Sequence, residues 1–239
     1  MKTHPTFGVV LPAAGSGTRF GSGDKLLMDL AGQTVLERSL ALFVSRENVQ
    51  KIVIVTSPDR FEPYRRQLPA MIASERLAFV AGGRERWESV LFGLRHLAQL
   101  KNPPTFVAVH DAARPLTPPS VIDQAFRTTE SHGAALPCVA EPATLKKTAP
   151  DNSVSETVDR RGLFQAQTPQ CFGLAKLLSG YETLLAAGQI ADVTDDAQVF
   201  ERIGERVIIT PGDSLNMKIT TAGDLALARA IFTHGSAPA

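Results

Sequence analysis

Short runs of β-branched and apolar residues alternate along the chain with stretches whose apolar positions recur every three or four residues. The first pattern suits strands buried on both faces and the second suits amphipathic helices. Their alternation therefore predicts βαβ units and a mostly parallel sheet with helices on both faces. Phe7–Pro12 is the first expected strand, and a glycine-rich turn follows it at once. Thr34 and Glu37 form a capping box opening a helix whose Leu36, Leu40 and Phe43 share one face. Further strands are expected at 51–56, 77–81, 105–110 and 133–139, with late ones at 206–210 and 216–219. Helices are expected through Val90, Leu91, Leu94 and Leu97, from Thr117-Pro-Pro-Ser to about 129, and over 174–187, 195–202 and 221–232.

One stretch breaks this rhythm. Thr144-Leu-Lys-Lys-Thr-Ala and Val154-Ser-Glu-Thr-Val-Asp flank a Pro150-Asp-Asn turn, which predicts two antiparallel ribbon strands protruding as an arm over about 140–160. The arm has too few apolar residues to form a core alone, so a partner is expected to cover it.

The 239 residues suit one domain spanning 1–239. Lys and Arg number 25 against 24 Asp and Glu, a formal charge of +1, which offers no footprint for nucleic acid or an anionic membrane. No apolar run reaches the ~18 residues of a membrane span, and the start lacks a secretory or transit pattern, so a cytoplasmic protein is expected. Cys138 and Cys171 are too few for a disulfide framework or a four-ligand zinc site and are expected as reduced packing residues. None of the five His falls in a metal-ligand spacing, and no Ser/His/Asp signature is present.

Chemistry concentrates after the first strand, in Pro12-Ala13-Ala14-Gly15-Ser-Gly17-Thr-Arg19. Backbone N–H groups in such a turn form an anion nest, and Arg19 and Lys25 add two cations beside it. A Walker A loop requires Ser or Thr directly after its Lys, whereas Leu26 follows Lys25. A dinucleotide fingerprint fails too, because Phe20 stands at its small-residue position and the second strand ends near Thr56, too far along for the ribose-binding acid.

The turn resembles the signature loop of sugar-phosphate nucleotidylyltransferases. The motifs Gly82-Gly83-Arg-Glu-Arg86-Trp-Glu-Ser89, His110-Asp111-Ala-Ala-Arg114-Pro115, Thr157-Val-Asp-Arg160, Thr168-Pro-Gln170, Thr194-Asp195-Asp196 and Asn216-Met-Lys218 resemble one branch, the 2-C-methyl-D-erythritol 4-phosphate cytidylyltransferase family. The resemblance implies a Rossmann-like α/β fold, a homodimer joined through the arm, and attack by the acceptor phosphate on the α-phosphorus of CTP. A phosphate monoester is already ionised near neutral pH, so such chemistry rests on positioning and charge neutralisation, without a general base.

By the same resemblance, Arg19, Lys25, Arg160 and Lys218 are the catalytic cations. Pro12, Ala13, Ala14, Gly15, Gly17, Gly83, Ser89 and Asp111 face the nucleotide, with Asp111 also holding Mg²⁺ or another divalent ion. Arg114, Thr144, Arg160 and Thr168 hold methylerythritol phosphate, with Thr144 and Arg160 carried by the arm into the partner's site. Two departures stand out: the family commonly has Pro-Lys-Gln where this chain has Asp24-Lys25-Leu26, and an Asp where Ala143 precedes Thr144. Ser89 alone suits a helix N-cap equally well, and Arg86 suits a loop support or a surface charge. Thr194, Asp195 and Asp196 suit a capped helix start, and His110 suits a packed strand end. The rivals are a ribitol 5-phosphate cytidylyltransferase and a non-catalytic nucleotide-binding protein on the same scaffold.

Overall fold

The computed structural model of the protein describes residues 5–15, 20, 23–68 and 75–233. At its centre lies β1 (Phe7–Pro12), all but fully buried, because both of its faces carry helices. Phe7, Val9 and Leu11 point to one face and Val10 to the other, as the twofold strand repeat dictates. β1 pairs in parallel with β4 (Val49–Thr56) on one side and β6 (Phe106–Val109) on the other, and β4 pairs in parallel with β5 (Leu77–Ala81).

Two short strands, β2 (Asp29–Leu30) and β3 (Gln33–Thr34), form a small hairpin of their own before α1 (Val35–Val44). The expected capping box is present in full: Thr34 accepts from the Glu37 N–H while Glu37 accepts from that of Thr34. α2 (Phe61–Gln67) follows β4, and α3 (Arg86–Ala98) follows β5.

Beyond β6 the sheet becomes mixed. α4 (Pro119–His132) leads into β7 (Ala134–Ala140), but β11 (Gln170–Gly173) inserts between β6 and β7, antiparallel to both. β10 (Phe164–Ala166) pairs antiparallel with the far end of β7, and β12 (Ile208–Pro211) lies parallel along its other edge. The order β10-β7-β11-β6-β1-β4-β5, with β12 on β7, makes eight strands. The parallel core matches the periodicity, whereas β10 and β11 escape it because each is too short to show a period. β7 starts at Ala134 because Gly133 adopts a left-handed φ of 86°, ending α4 with its N–H on the Thr129 carbonyl.

α1, α4 and α7 (Ala222–Thr233) cover one face through Leu40, Phe126 and Leu225, with Phe7 stacked on Phe126 at 3.8 Å. α3, α5 (Leu174–Ala186) and α6 (Asp196–Arg202) cover the other through Leu94, Leu177 and Phe200. The expected strand at 216–219 is absent, because its polar groups are drawn into the site described below. The arm matches expectation: β8 (Leu145–Thr148) and β9 (Val154–Val158) form a separate antiparallel pair, with Val154 62% exposed.

Candidate active site

The order of pairing reverses at β1: the chain builds outward through β4 and β5, then crosses over to β6 on the opposite side. Carboxyl ends of neighbouring strands at such a reversal splay apart into a crevice. Here a cleft of about 410 Å³ opens between the residues following β1 and those following β6.

Its floor is centred on Asp111, two residues past β6 and nearly buried. Oδ2 receives Lys218 Nζ at 3.1 Å and Arg114 Nε at 3.2 Å, and Oδ1 faces Arg86 Nε at 3.7 Å. Burial alone would raise this carboxyl's pKa, but Lys218, Arg86 and Arg114 outweigh it and hold the acid well below the usual carboxylate range. Asp111 is therefore a fixed anion within a net positive cluster.

A buried polar network fixes the floor from behind. The Asp111 N–H donates to Thr168 Oγ1 (3.1 Å), which lies 3.0 Å from His110 Nδ1, and His110 Nε2 lies 3.2 Å from the Arg114 carbonyl. A carbonyl can only accept, so His110 carries its proton on Nε2, and the Thr168 hydroxyl donates to Nδ1. Burial, with Arg114 nearby, outweighs the upward pull of Asp111 and brings the imidazole pKa down to about 4, keeping it neutral. Asn216, fully buried, donates through Nδ2 to the Thr168 carbonyl (2.8 Å), while its Oδ1 accepts from Thr117 (2.7 Å) and its carbonyl from Arg114 Nη1 (2.6 Å). These bonds replace the strand expected at 216–219 and aim Lys218 at Asp111.

The opposite wall is main chain. The Ala13 N–H donates to Val55 and its carbonyl accepts from Thr56 Oγ1 (3.1 Å), so the strand end continues into the turn under restraint. Lys25 sits in a 3-10 turn over Lys25–Leu27 and donates to the Ile219 carbonyl at 3.0 Å, next to Lys218. A side chain at Gly82 would strike Ala14 (2.8 Å), and one at Gly83 would strike Glu88. Only bare backbone fits there. Ser89 lies inside α3, not at its cap, which is Glu85 in a reciprocal box with Glu88. The buried Ser89 hydroxyl instead accepts from the Gly83 N–H (3.2 Å) and holds that loop against α3.

Of the residues expected from sequence, Pro12, Ala13, Ala14, Gly15, Gly83, Ser89, Lys25, Asp111 and Lys218 all line the cleft. Gly17 and Arg19 lie outside the described residues. Thr168 and Arg114 stand behind Asp111, with polar groups bonded into the network that fixes the floor. Thr144 and Arg160 lie on the exposed arm, and Arg160 donates to the Pro142 carbonyl, so neither enters this chain's own cleft.

Sequence reasoning left Arg86 undecided and gave Asp196 to helix capping. The structure joins them: Arg86 Nη2 bonds Asp196 Oδ2 at 2.8 Å, and the fully buried Asp196 also accepts from Tyr181 Oη at 2.6 Å. Asp195 is the cap. Burial disfavours the Arg86 charge, but Asp196 and Asp111 overcome that and raise its pKa, so the guanidinium spans a buried acid and the cleft.

Main chain at Ala13–Gly15 shares the cleft with the cations Lys25, Lys218 and Arg86, an arrangement that suits a transferase handling a nucleoside triphosphate. Comparison with known proteins narrows this class. The family model for 2-C-methyl-D-erythritol 4-phosphate cytidylyltransferase matches residues 7–234. The enzyme of that name from Rhodopirellula baltica is 36% identical, with 98% of each chain covered. The bifunctional enzyme IspD/IspF of Paramagnetospirillum magneticum is 40% identical over 94% of this chain and 56% of its own length. The crystal structure of the Francisella tularensis 2-C-methyl-D-erythritol 4-phosphate cytidylyltransferase superposes with a TM-score of 0.80 at 29% identity, covering 94% of this chain and 99% of that one. The chain belongs to the 2-C-methyl-D-erythritol 4-phosphate cytidylyltransferase family.

Proposed function

We propose that the cleft transfers the cytidylyl group of CTP to 2-C-methyl-D-erythritol 4-phosphate, giving CDP-methylerythritol and pyrophosphate, a step in non-mevalonate isoprenoid precursor synthesis. Family membership over nearly the whole chain supports this activity, and the observation that ties it to a site is the turn–cation pairing of Ala13–Gly15 with Lys25 and Lys218. An oxygen of the acceptor phosphate forms a bond to the α-phosphorus while the bond from that phosphorus to the β-phosphate bridging oxygen breaks. Lys25 and Arg19 stabilise charge developing on the α-phosphoryl group. Lys218, aimed by Asp111 and the Asn216 anchor, directs the acceptor phosphate, and Arg114 acts by holding Asp111. Backbone groups at Ala13, Ala14 and Gly83 read the cytosine edge, with Ser89 holding the Gly83 loop in place.

Among the described residues no group of three or more His, Cys, Asp or Glu gathers that could hold a metal. Asp111 Oδ2 is taken by Lys218 and Arg114, while Oδ1 faces Arg86 at the longer distance of 3.7 Å. This donor set fits a Mg²⁺ that arrives on the triphosphate and takes one protein oxygen, and does not fit a resident all-protein cage. When bound, the ion would neutralise charge on the phosphate oxygens.

The exposed ribbon supports a homodimer in which Thr144 and Arg160 complete the partner's acceptor site. No helix among the described residues is long and apolar enough to cross a membrane; a cytoplasmic location is part of the proposal.

Pyrophosphate release tests the assignment. With Mg²⁺, CTP should exceed UTP, and methylerythritol phosphate should exceed ribitol 5-phosphate in kcat/KM. A ribitol value equal or higher would move the chain to the ribitol reading, and no release with any acceptor would leave only nucleotide binding.

A further inference from the structure

A second polar cluster lies outside the catalytic cleft, beneath the two ends of the glycine-rich segment. Asp24 Oδ1 accepts from the Leu26 N–H at 3.0 Å and so caps the 3-10 turn that carries Lys25. Its other oxygen accepts from Tyr64 Oη at 2.7 Å, and Arg60 Nε lies 3.6 Å from it. Arg60 continues to the segment's other end, where Nη1 donates to the carbonyls of Gly15 at 3.2 Å and Ala13 at 3.4 Å. Tyr64 is fully buried in α2, so the cluster is anchored in the core.

We propose that Asp24 is a positioning residue for the nucleotide: with Arg60 and Tyr64 it ties both ends of the glycine-rich segment to one support and sets Lys25 toward the triphosphate. This rests on the proposed role of that segment and Lys25 in CTP binding. Three physical points carry it. Holding the Ala13 and Gly15 carbonyls and the Lys25 turn in place before the ligand arrives removes part of the cost of binding. A carboxylate next to an anion-binding turn repels the ligand unless its charge is used, and here it is matched by Arg60 and by two donated hydrogen bonds. The Asp24 side chain reaches the main chain at Leu26, one residue past Lys25, so removing it releases the turn from which that ammonium extends.

The role predicts an asymmetric kinetic effect. A general loss of structure lowers kcat through the active fraction and leaves the KM of both substrates alone. Loss of the support should instead raise KM for CTP about tenfold and lower kcat severalfold in Asp24→Ala, with KM for methylerythritol phosphate within twofold of the parent. Asp24→Asn keeps one acceptor oxygen, enough for the Leu26 N–H, but turns an amide N–H toward Tyr64 and loses the charge facing Arg60, and should fall between Asp24→Ala and the parent. Tyr64→Phe keeps the packing, loses one hydrogen bond, and should raise KM for CTP about threefold; it carries the test if Asp24→Ala does not fold. Lys25→Ala is run in parallel. If Lys25→Ala is impaired while folded Asp24→Ala and Tyr64→Phe keep the parent KM for CTP, the support role is wrong and the site assignment stands. If Lys25→Ala is also unimpaired, the assignment of the site itself falls. Equal rises in KM for both substrates in Asp24→Ala would likewise overturn a nucleotide-specific role.

Discussion

The floor of the cleft and the arm both present polar side chains proposed to act on the same acceptor, but they hold them in opposite ways. On the floor, Thr168, His110, Thr117 and Asn216 are buried, and their side chains are hydrogen-bonded to one another or to main chain. On the arm, Lys147 pairs with Glu156 and Arg161 with Asp159 in the open, where such pairs contribute little. A floor of this kind is preorganised by the fold of one chain. The arm has a defined backbone and mostly exposed side chains, which agrees with the proposal that a second chain covers it.

The largest effect should come from breaking the proposed division of labour between two chains. Lys25→Ala and Arg160→Ala should each lower kcat about 10²-fold or more, as loss of a preorganised electrostatic group does. If the arm serves the partner, a dimer mixed from the two variants has one site with both residues intact. Random reassortment then restores about a quarter of the parent activity. Subunit exchange demonstrated by mass without any regain would assign Arg160 to its own chain or to no site at all.

A second effect belongs to the floor alone and is a matter of pH. Burial, assisted by Arg114, lowers the His110 pKa to about 4, below the ordinary 6.5, so between those values the unfolded chain binds a proton that the folded chain refuses. The contribution is therefore intact above about pH 6.5 and lost as pH falls toward 4, reaching about 3 kcal/mol in full. Asp111, whose pKa is also depressed, acts in the same direction in a lower window: its contribution is present above the ordinary carboxylate value and lost in stronger acid. Urea unfolding between pH 7 and 4.5 should show the parent losing stability and His110→Gln losing much less. Parallel curves would remove His110 as the group responsible.

How much of this was visible in sequence also divides along the same line. β1 and β5 have the expected limits, and the Thr34–Glu37 box and the arm are where local pattern puts them, since each is decided by neighbours within a few positions. The cleft-lining turn was legible because glycines and cations cluster in one segment. The floor was not. A motif marks Thr168 and Arg114 but not which way they face, and their bonds to the Asp111 N–H and the Asn216 carbonyl are visible only in the fold. The Arg86–Asp196 pair joins residues 110 positions apart, and nothing near either residue marks the other. The same applies to Asp24-Lys25-Leu26, which departs from the expected Pro-Lys-Gln: only the fold brings Tyr64 and Arg60 to that carboxylate.

The smallest effects sharpen the comparison most, because they ask whether chemically similar changes differ when only the environment differs. Thr168→Val preserves side-chain shape but strips the hydroxyl from a buried position, leaving the Asp111 N–H without its acceptor and His110 Nδ1 without its donor. That should destabilise the protein by about 1–3 kcal/mol, the cost of unsatisfied buried groups. Lys147→Ala on the arm also removes one polar partnership, the 2.8 Å contact to Glu156, yet both groups there can turn to water. Its effect should stay under about 0.5 kcal/mol and shrink further in high salt. Measured by urea unfolding at dilutions where the proposed dimer would dissociate, the two values should differ severalfold. Near equality would mean that the arm's polar groups are as enclosed as the floor's within one chain, and the need for a partner to give them their environment would disappear.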